Sequence, residues 1–164
     1  MRVTIRTPPM QQKHPIEPVR RHHGAFHVAG LAVRTTNREE NDPATARIGK
    51  LWDRFFGEET YRSTPHRTSD ARIFGIYSGY ESDAHGAFDL TVGVAVSGGT
   101  GSVAIEAGDY LVFENRGEMP QLVITTWERI WQYFEAHPEI RRRWRSDFEA
   151  YEGPDRVAIH IGVS

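Results

Sequence analysis

The sequence predicts an α+β domain built as a tandem duplication of one β-α-β-β unit, and three observations predict it. Apolar residues switch repeatedly between the period of a strand and the period of a helix. The 164 residues suit one compact domain with a core of its own. The two halves can also be laid over each other. "GKLWDRFF" aligns with "ERIWQYFE", which sets Trp52 opposite Trp131. "RIFGIYSGYE" aligns with "SDFEAYEGPD", which sets Phe74 opposite Phe148 and Tyr77 opposite Tyr151, and "TVGVAV" aligns with "AIHIGV".

Residues 1–24 hold four prolines and few periodic apolar positions, so they read as an irregular arm. The domain proper is expected over 25–164, with halves of about 25–98 and 103–163. "AFHVAGLAVRT" reads as a strand, and its Gly30 signals a bulge or a close backbone approach. A helix is expected from Asp42 as N-cap and Pro43 at its first position. Ile48, Leu51, Trp52 and Phe55 form its buried stripe, and Gly57 follows its end. "RIFGIYSGYES" and "AFDLTVGVAVS" read as strands joined by "DAHG", and a Gly/Ser loop follows. "VAIEAGDYLVFENRG" supplies strand with a turn at Gly108. A second helix is expected to open near Pro120 and close before Pro138, with Val123, Trp127, Ile130, Trp131 and Phe134 as its stripe. "RRRWR" reads as a solvated helical face, and "DFEAYEG" and "RVAIHIGV" as the last strands.

Composition removes several function classes. With no cysteine there is no disulfide, cysteine nucleophile or thiolate metal site. A net charge of −2 argues against non-specific nucleic-acid binding. No apolar run approaches a membrane span, and the first residues lack a signal-peptide core, so a cytoplasmic protein is expected. The histidines near the start lack metal-site spacing, "GGTGS" lacks the Lys-Ser/Thr pair of a phosphate loop, and no cofactor is expected.

The stretch "DFEAYEG" carries the sharpest candidate. Strand alternation puts Phe148, Ala150 and Glu152 on one face and Asp147, Glu149 and Tyr151 on the other. Burying either face takes a carboxylate in with it, at a cost unless it is partnered. In the internal alignment Glu149 stands where the first half has Gly75, so the repeat alone does not account for it. Its plain reading is a surface residue or a partner of Arg141, Arg142, Arg143 or Arg145. Trp127 and Trp131 share a helix face, either as core or as aromatic walls that attract a cation. Tyr77, Tyr80 and Tyr151 bring hydroxyls, and Glu118 before the second helix is an N-terminal carboxylate of the kind that often only complements the helix dipole.

The segments "FHVAGLAVRT…KLWDRFF…GIYSGYESDAHGAFDLTVGV" and "GEMPQLVITTWERIWQYF…SDFEAYEG…VAIHIGV" resemble the GyrI-like small-molecule-binding superfamily, whose fold also forms the effector-binding domain of AraC- and MerR-type regulators. The resemblance implies pseudo-twofold symmetry, a curved antiparallel sheet with helices packed on it, and a central aromatic cleft for lipophilic or cationic small molecules. It implies that Glu149 faces the ligand, and Trp127, Trp131, Tyr77, Tyr151, Trp52, Phe74 and Tyr80 are read from this sequence as candidates for the cleft lining. One branch it resembles comprises hydrolases that open cyclopropane-bearing natural products. There Glu149 would activate water, with Glu118 or a tyrosine assisting. A third expectation is an interaction module that inhibits an enzyme such as DNA gyrase. No helix-turn-helix is expected, so direct DNA binding is not.

Overall fold

A computed structural model describes residues 17–99 and 101–164. Eight strands form one sheet in which every pairing is antiparallel: β1 Val19–His23, β2 Phe26–Thr35, β3 Ile73–Ser78, β4 Phe88–Val96, β5 Val103–Ile105, β6 Gly108–Arg116, β7 Asp147–Tyr151 and β8 Arg156–Val163. Their order across the curved sheet is β1-β6-β8-β7-β3-β4-β2-β5. Four helices join it: α1 Asn37–Glu40, α2 Ile48–Gly57, α3 Thr60–Ser63 and α4 Gln121–Ala136. The order is palindromic about the β7–β3 junction, which is the pseudo-twofold arrangement of a duplicated unit.

The junction has a geometric consequence. β3 and β7 pair with Gly75 directly opposite Glu149, Ile73 opposite Tyr151 and Tyr77 opposite Asp147. The internal alignment equates the same two residues, Gly75 and Glu149. The local twofold therefore passes between them, and each is the other's symmetry mate. The two places lie side by side, and one carboxylate fills the space: a Cβ on Gly75 would sit 2.8 Å from Glu149 Oε1 and 3.5 Å from Trp52 Cζ2. The break in the repeat is a packing requirement at the axis.

Alternation along the strands divides the core. On the helix face, Leu51 and Phe55 of α2 pack on Leu90, Val92 and Val94 of β4, and Leu122 and Ile130 of α4 pack on Phe113, Ile159 and Ile161. The open face carries its own cluster, including Val28, Phe74, Ile76, Tyr110 and Phe148. Gly30 lies directly across from Gly93, and a Cβ there would meet Val92 O at 1.9 Å, so the expected close approach is between two strand backbones.

Several local expectations are corrected. The first described strand starts at Val19, six residues before the expected onset of order, and its partner β6 is remote in sequence. Residues 1–16 of the expected arm lie outside the described residues. Asp42 and Pro43 do not open a helix; Asp42 caps a turn by accepting from the Ala44 amide at 2.9 Å. α2 begins at Ile48, and the Glu40 carboxylate accepts from the free amides of Arg47 and Ile48. The left-handed residue after α2 is Glu59 rather than Gly57. α4 has the expected bounds, but its deepest line is Leu122, Thr126 and Ile130, whereas Trp131 is 41% exposed. "RRRWR" is irregular rather than helical, and Arg142 and Arg143 are largely buried.

Candidate functional site

The Glu149 side chain projects from the centre of the sheet toward the helices and is 2% exposed. Three neutral groups converge on it. Tyr77 Oη and Trp127 Nε1 both donate to Oε2 at 2.8 Å, and Tyr151 Oη donates to Oε1 at 2.7 Å. The tyrosines come from symmetry-related places in β3 and β7, so the axis that excludes a second glutamate supplies two hydroxyls to the one that remains. Trp127 of α4 packs edge-on against Tyr77, and Trp52 of α2 packs edge-on against Tyr151. By contacts, Trp52 is matched by Trp127 rather than by Trp131, its partner in the sequence alignment.

Burial pushes the Glu149 carboxyl above its ordinary pKa, and the three hydrogen bonds, which favour the anion, offset only part of that. Burial first, and the neighbouring carboxylate second, hold Tyr77 and Tyr151 well above 10. They therefore remain donors at neutral pH. No cationic side chain pairs with Glu149 among the described residues.

Two residues earlier on the same face, Asp147 has the opposite environment. It is fully buried, yet Arg142 Nη2 donates to it at 2.8 Å, the Gly162 amide donates at 2.7 Å, and Tyr80 Oη donates as well. The Arg142 guanidinium stacks 3.6 Å from the Trp144 ring centre and 5.5 Å from that of Trp131. Asp147 is thus the carboxylate of a buried ion pair, in which Arg142 Nε and Nη1 have no hydrogen-bond partner and the guanidinium meets an aromatic face, and Glu149 is a buried carboxylate with no such pair among the described residues.

A cavity of about 350 Å³ opens beside this pair, within the usual size for a small-molecule site. Tyr77, Tyr80, Trp127, Trp131, Trp144 and Arg142 line it together with polar residues of the 37–41 segment. Glu149 lies behind Tyr77 and Trp127, whose polar atoms point inward to it.

The structure brings Glu149, Tyr77, Tyr151, Trp127 and Trp52 together. Tyr80 and Trp131 line the outer cavity. Phe74 does not belong to this group. It is fully buried on the open face, because its position in β3 has the opposite parity to Gly75 and Tyr77. Glu118 is exposed before α4 and has no described contact with Glu149. Sequence reasoning did not pick out the Arg142–Asp147–Trp144 cluster. The strand alternation that places Asp147 beside Glu149 was the signal that pointed to it. Among the described residues no group of side chains could hold a metal ion, and no helix is long and apolar enough to cross a membrane.

Comparison with known proteins returns the same architecture. The family described as Cass2, integron-associated effector binding protein, matches residues 23–163. The integron cassette protein VCH_CASS2 from the mobile metagenome of Vibrio cholerae is 36% identical, with a TM-score of 0.77 over 90% of this chain and 96% of its own. A putative transcriptional regulator, YobU of Bacillus subtilis, is 29% identical over 147 residues, 83% of this chain and 89% of its own. The structure of SAV2435 bound to tetraphenylphosphonium shares the fold at 18% identity, with a TM-score of 0.74 over 91% of this chain and 94% of its own.

Proposed function

The chain belongs to the integron-associated effector binding protein family, and on that premise we propose that it binds a lipophilic organic cation at Glu149, as a stand-alone sensor or sequestering protein. One observation carries the reading: a buried carboxylate with three neutral donors and no counter-ion among the described residues. Desolvating an anion is costly, and a cation delivered into the same apolar space recovers that cost. Indole and phenol faces around the carboxylate add cation–π attraction, and they suit a flat or bulky aromatic ligand. The cavity above Tyr77 and Trp127 is the natural entrance, and turning Trp127 aside would bring a ligand onto the carboxylate. The tetraphenylphosphonium seen in SAV2435, on the same fold, makes that cation a reasonable probe.

A hydrolytic reading needs a second acid or base beside Glu149. The groups in contact with Glu149 are an indole and two phenols that stay protonated at neutral pH, so a tyrosine could assist there only as a donor and Glu149 alone would be the base.

The test is a calorimetric titration of tetraphenylphosphonium into the full chain and into Glu149→Gln. The variant is expected to lose at least about tenfold in affinity, or about 1.4 kcal/mol. Neutral triphenylphosphine oxide is expected to bind both proteins equally weakly. Equal affinity of both proteins for the cation would sink the proposal. Affinity for the cation should also fall as acid protonates Glu149.

A further inference from the structure

We propose a second ligand site on the open face of the sheet, for a small organic anion bearing a carboxylate or phosphate monoester. It is independent of the cation site and lies on the opposite side of β7. A cavity of about 470 Å³ sits there over β6, β8, β7 and the start of β3. Its floor is apolar and set by two small residues. Ala150 and Ala158 are direct cross-strand partners on a face otherwise filled by Phe74, Tyr110 and Phe148. Larger residues at those two places would fill the depression.

The rim has the opposite character. Arg21, Arg72, Arg116 and Arg156 surround the cavity, against the two carboxylates Glu114 and Glu152. Four guanidinium groups on one depression stand out in a chain whose net charge is −2. Arg72 is paired with Asp70, and Arg156 reaches Glu152 at 3.7 Å. The Arg21 and Arg116 side chains have no hydrogen-bond or ion-pair partner among the described residues. His160 at the edge of the floor lies flat on Phe148, 4.1 Å between ring centres. Guanidinium groups bind carboxylate and phosphate through paired N–H donors, and an apolar floor favours an anion with a hydrocarbon body over a bare ion. The chain's own residues 1–16 are an unsuitable occupant by charge, since they include Arg2, Arg6 and Lys13 and no acidic residue.

The experiment is a methyl-resonance NMR titration of the labelled full chain with phenyl phosphate, benzoate, inorganic phosphate and benzylamine. The Ala150 and Ala158 methyls report directly on the floor. Phenyl phosphate or benzoate should shift them saturably, inorganic phosphate should do so more weakly, and benzylamine should leave them unmoved. Arg21→Gln combined with Arg116→Gln changes two exposed, unpaired side chains. It should weaken organic-anion binding at least tenfold and leave tetraphenylphosphonium titrations unchanged. Methyls that no anion moves, that benzylamine moves equally, or that respond with unaltered affinity in the double variant would overturn the site. Loss of the tetraphenylphosphonium response in the wild-type chain would bear on the cation site alone.

Discussion

Two carboxylates two residues apart on one strand face meet opposite fates. Asp147 is neutralised by Arg142, whereas Glu149 receives only neutral donors, and its carboxyl sits above the ordinary 4.5. The folded state therefore holds that proton more tightly than the unfolded chain. The contribution of Glu149 to stability is complete below pH 4.5 and is lost as pH rises through the raised folded value. His160 behaves conversely, since burial lowers it from 6.5 to about 4. Its contribution is complete above pH 6.5 and is lost as pH falls through the folded value, a change of about 3 kcal/mol. Urea unfolding between pH 4 and 8 checks both. Glu149→Gln can keep its oxygen toward Tyr77 and Trp127 and turn its amide to Tyr151, so its hydrogen bonds survive. It should be more stable than wild type at pH 7, with the gap closing below pH 4.5. His160→Phe keeps a ring on Phe148 and should flatten the acid limb between pH 6.5 and 4. An unchanged acid limb would show that His160 is not the group that titrates there.

At the scale of elements, the β3–β7 pair decides what the site can be. Gly75 is closed to any side chain because the Glu149 oxygen it would strike is pinned by Tyr151. Gly75→Ala should therefore break the Tyr151 hydrogen bond and cost about 1–3 kcal/mol. Adding Glu149→Ala should recover part of that loss, a non-additivity that a double-mutant cycle reads directly. Additive effects would mean that the two positions are uncoupled. The bounds of α4 were legible because Pro120 and Pro138 act locally, and the strands were legible because alternation is local. Glu149 stood out through the broken repeat, although the reason for the break, the axis itself, needs the strand register. The start of α2 was not legible, because its free amides are capped by Glu40 from a preceding helix. The burial of Arg142 depends on Asp147, on Trp144, and on Trp131 and Phe134 of α4, so "RRRWR" looks solvated until the fold assembles. Phe74, expected in the cleft, shares the parity of Phe148 and lies with it on the open face.

The whole molecule is held together by an exchange between its halves. β1 stands ahead of β2 of the first half in sequence but pairs with β6 of the second, while β5 opens the second half and pairs with β2 of the first. Each unit thus lends a strand to the other, which ties both outer edges of the sheet across the axis. β1 itself is mostly exposed, so its value lies in the backbone it covers and in a few contacts. Arg20 and His22 both reach Asp109, and Arg20 also donates to the Ser164 carbonyl at 2.8 Å. His23 packs its ring against Phe148 and Tyr110 at the centre of the open-face cluster. Without β1, the next strand becomes an edge whose Tyr110, Leu111 and Val112 are now buried, and an unprotected apolar edge invites pairing with another chain. Deleting residues 1–23 should lower the thermal midpoint on the order of 10 °C and produce concentration-dependent association. Deleting residues 1–16 keeps β1 whole and serves as the control. Scanning calorimetry and sedimentation velocity on the two truncations read both effects, and equal midpoints with two monomeric species would refute the exchanged strand as a structural tie.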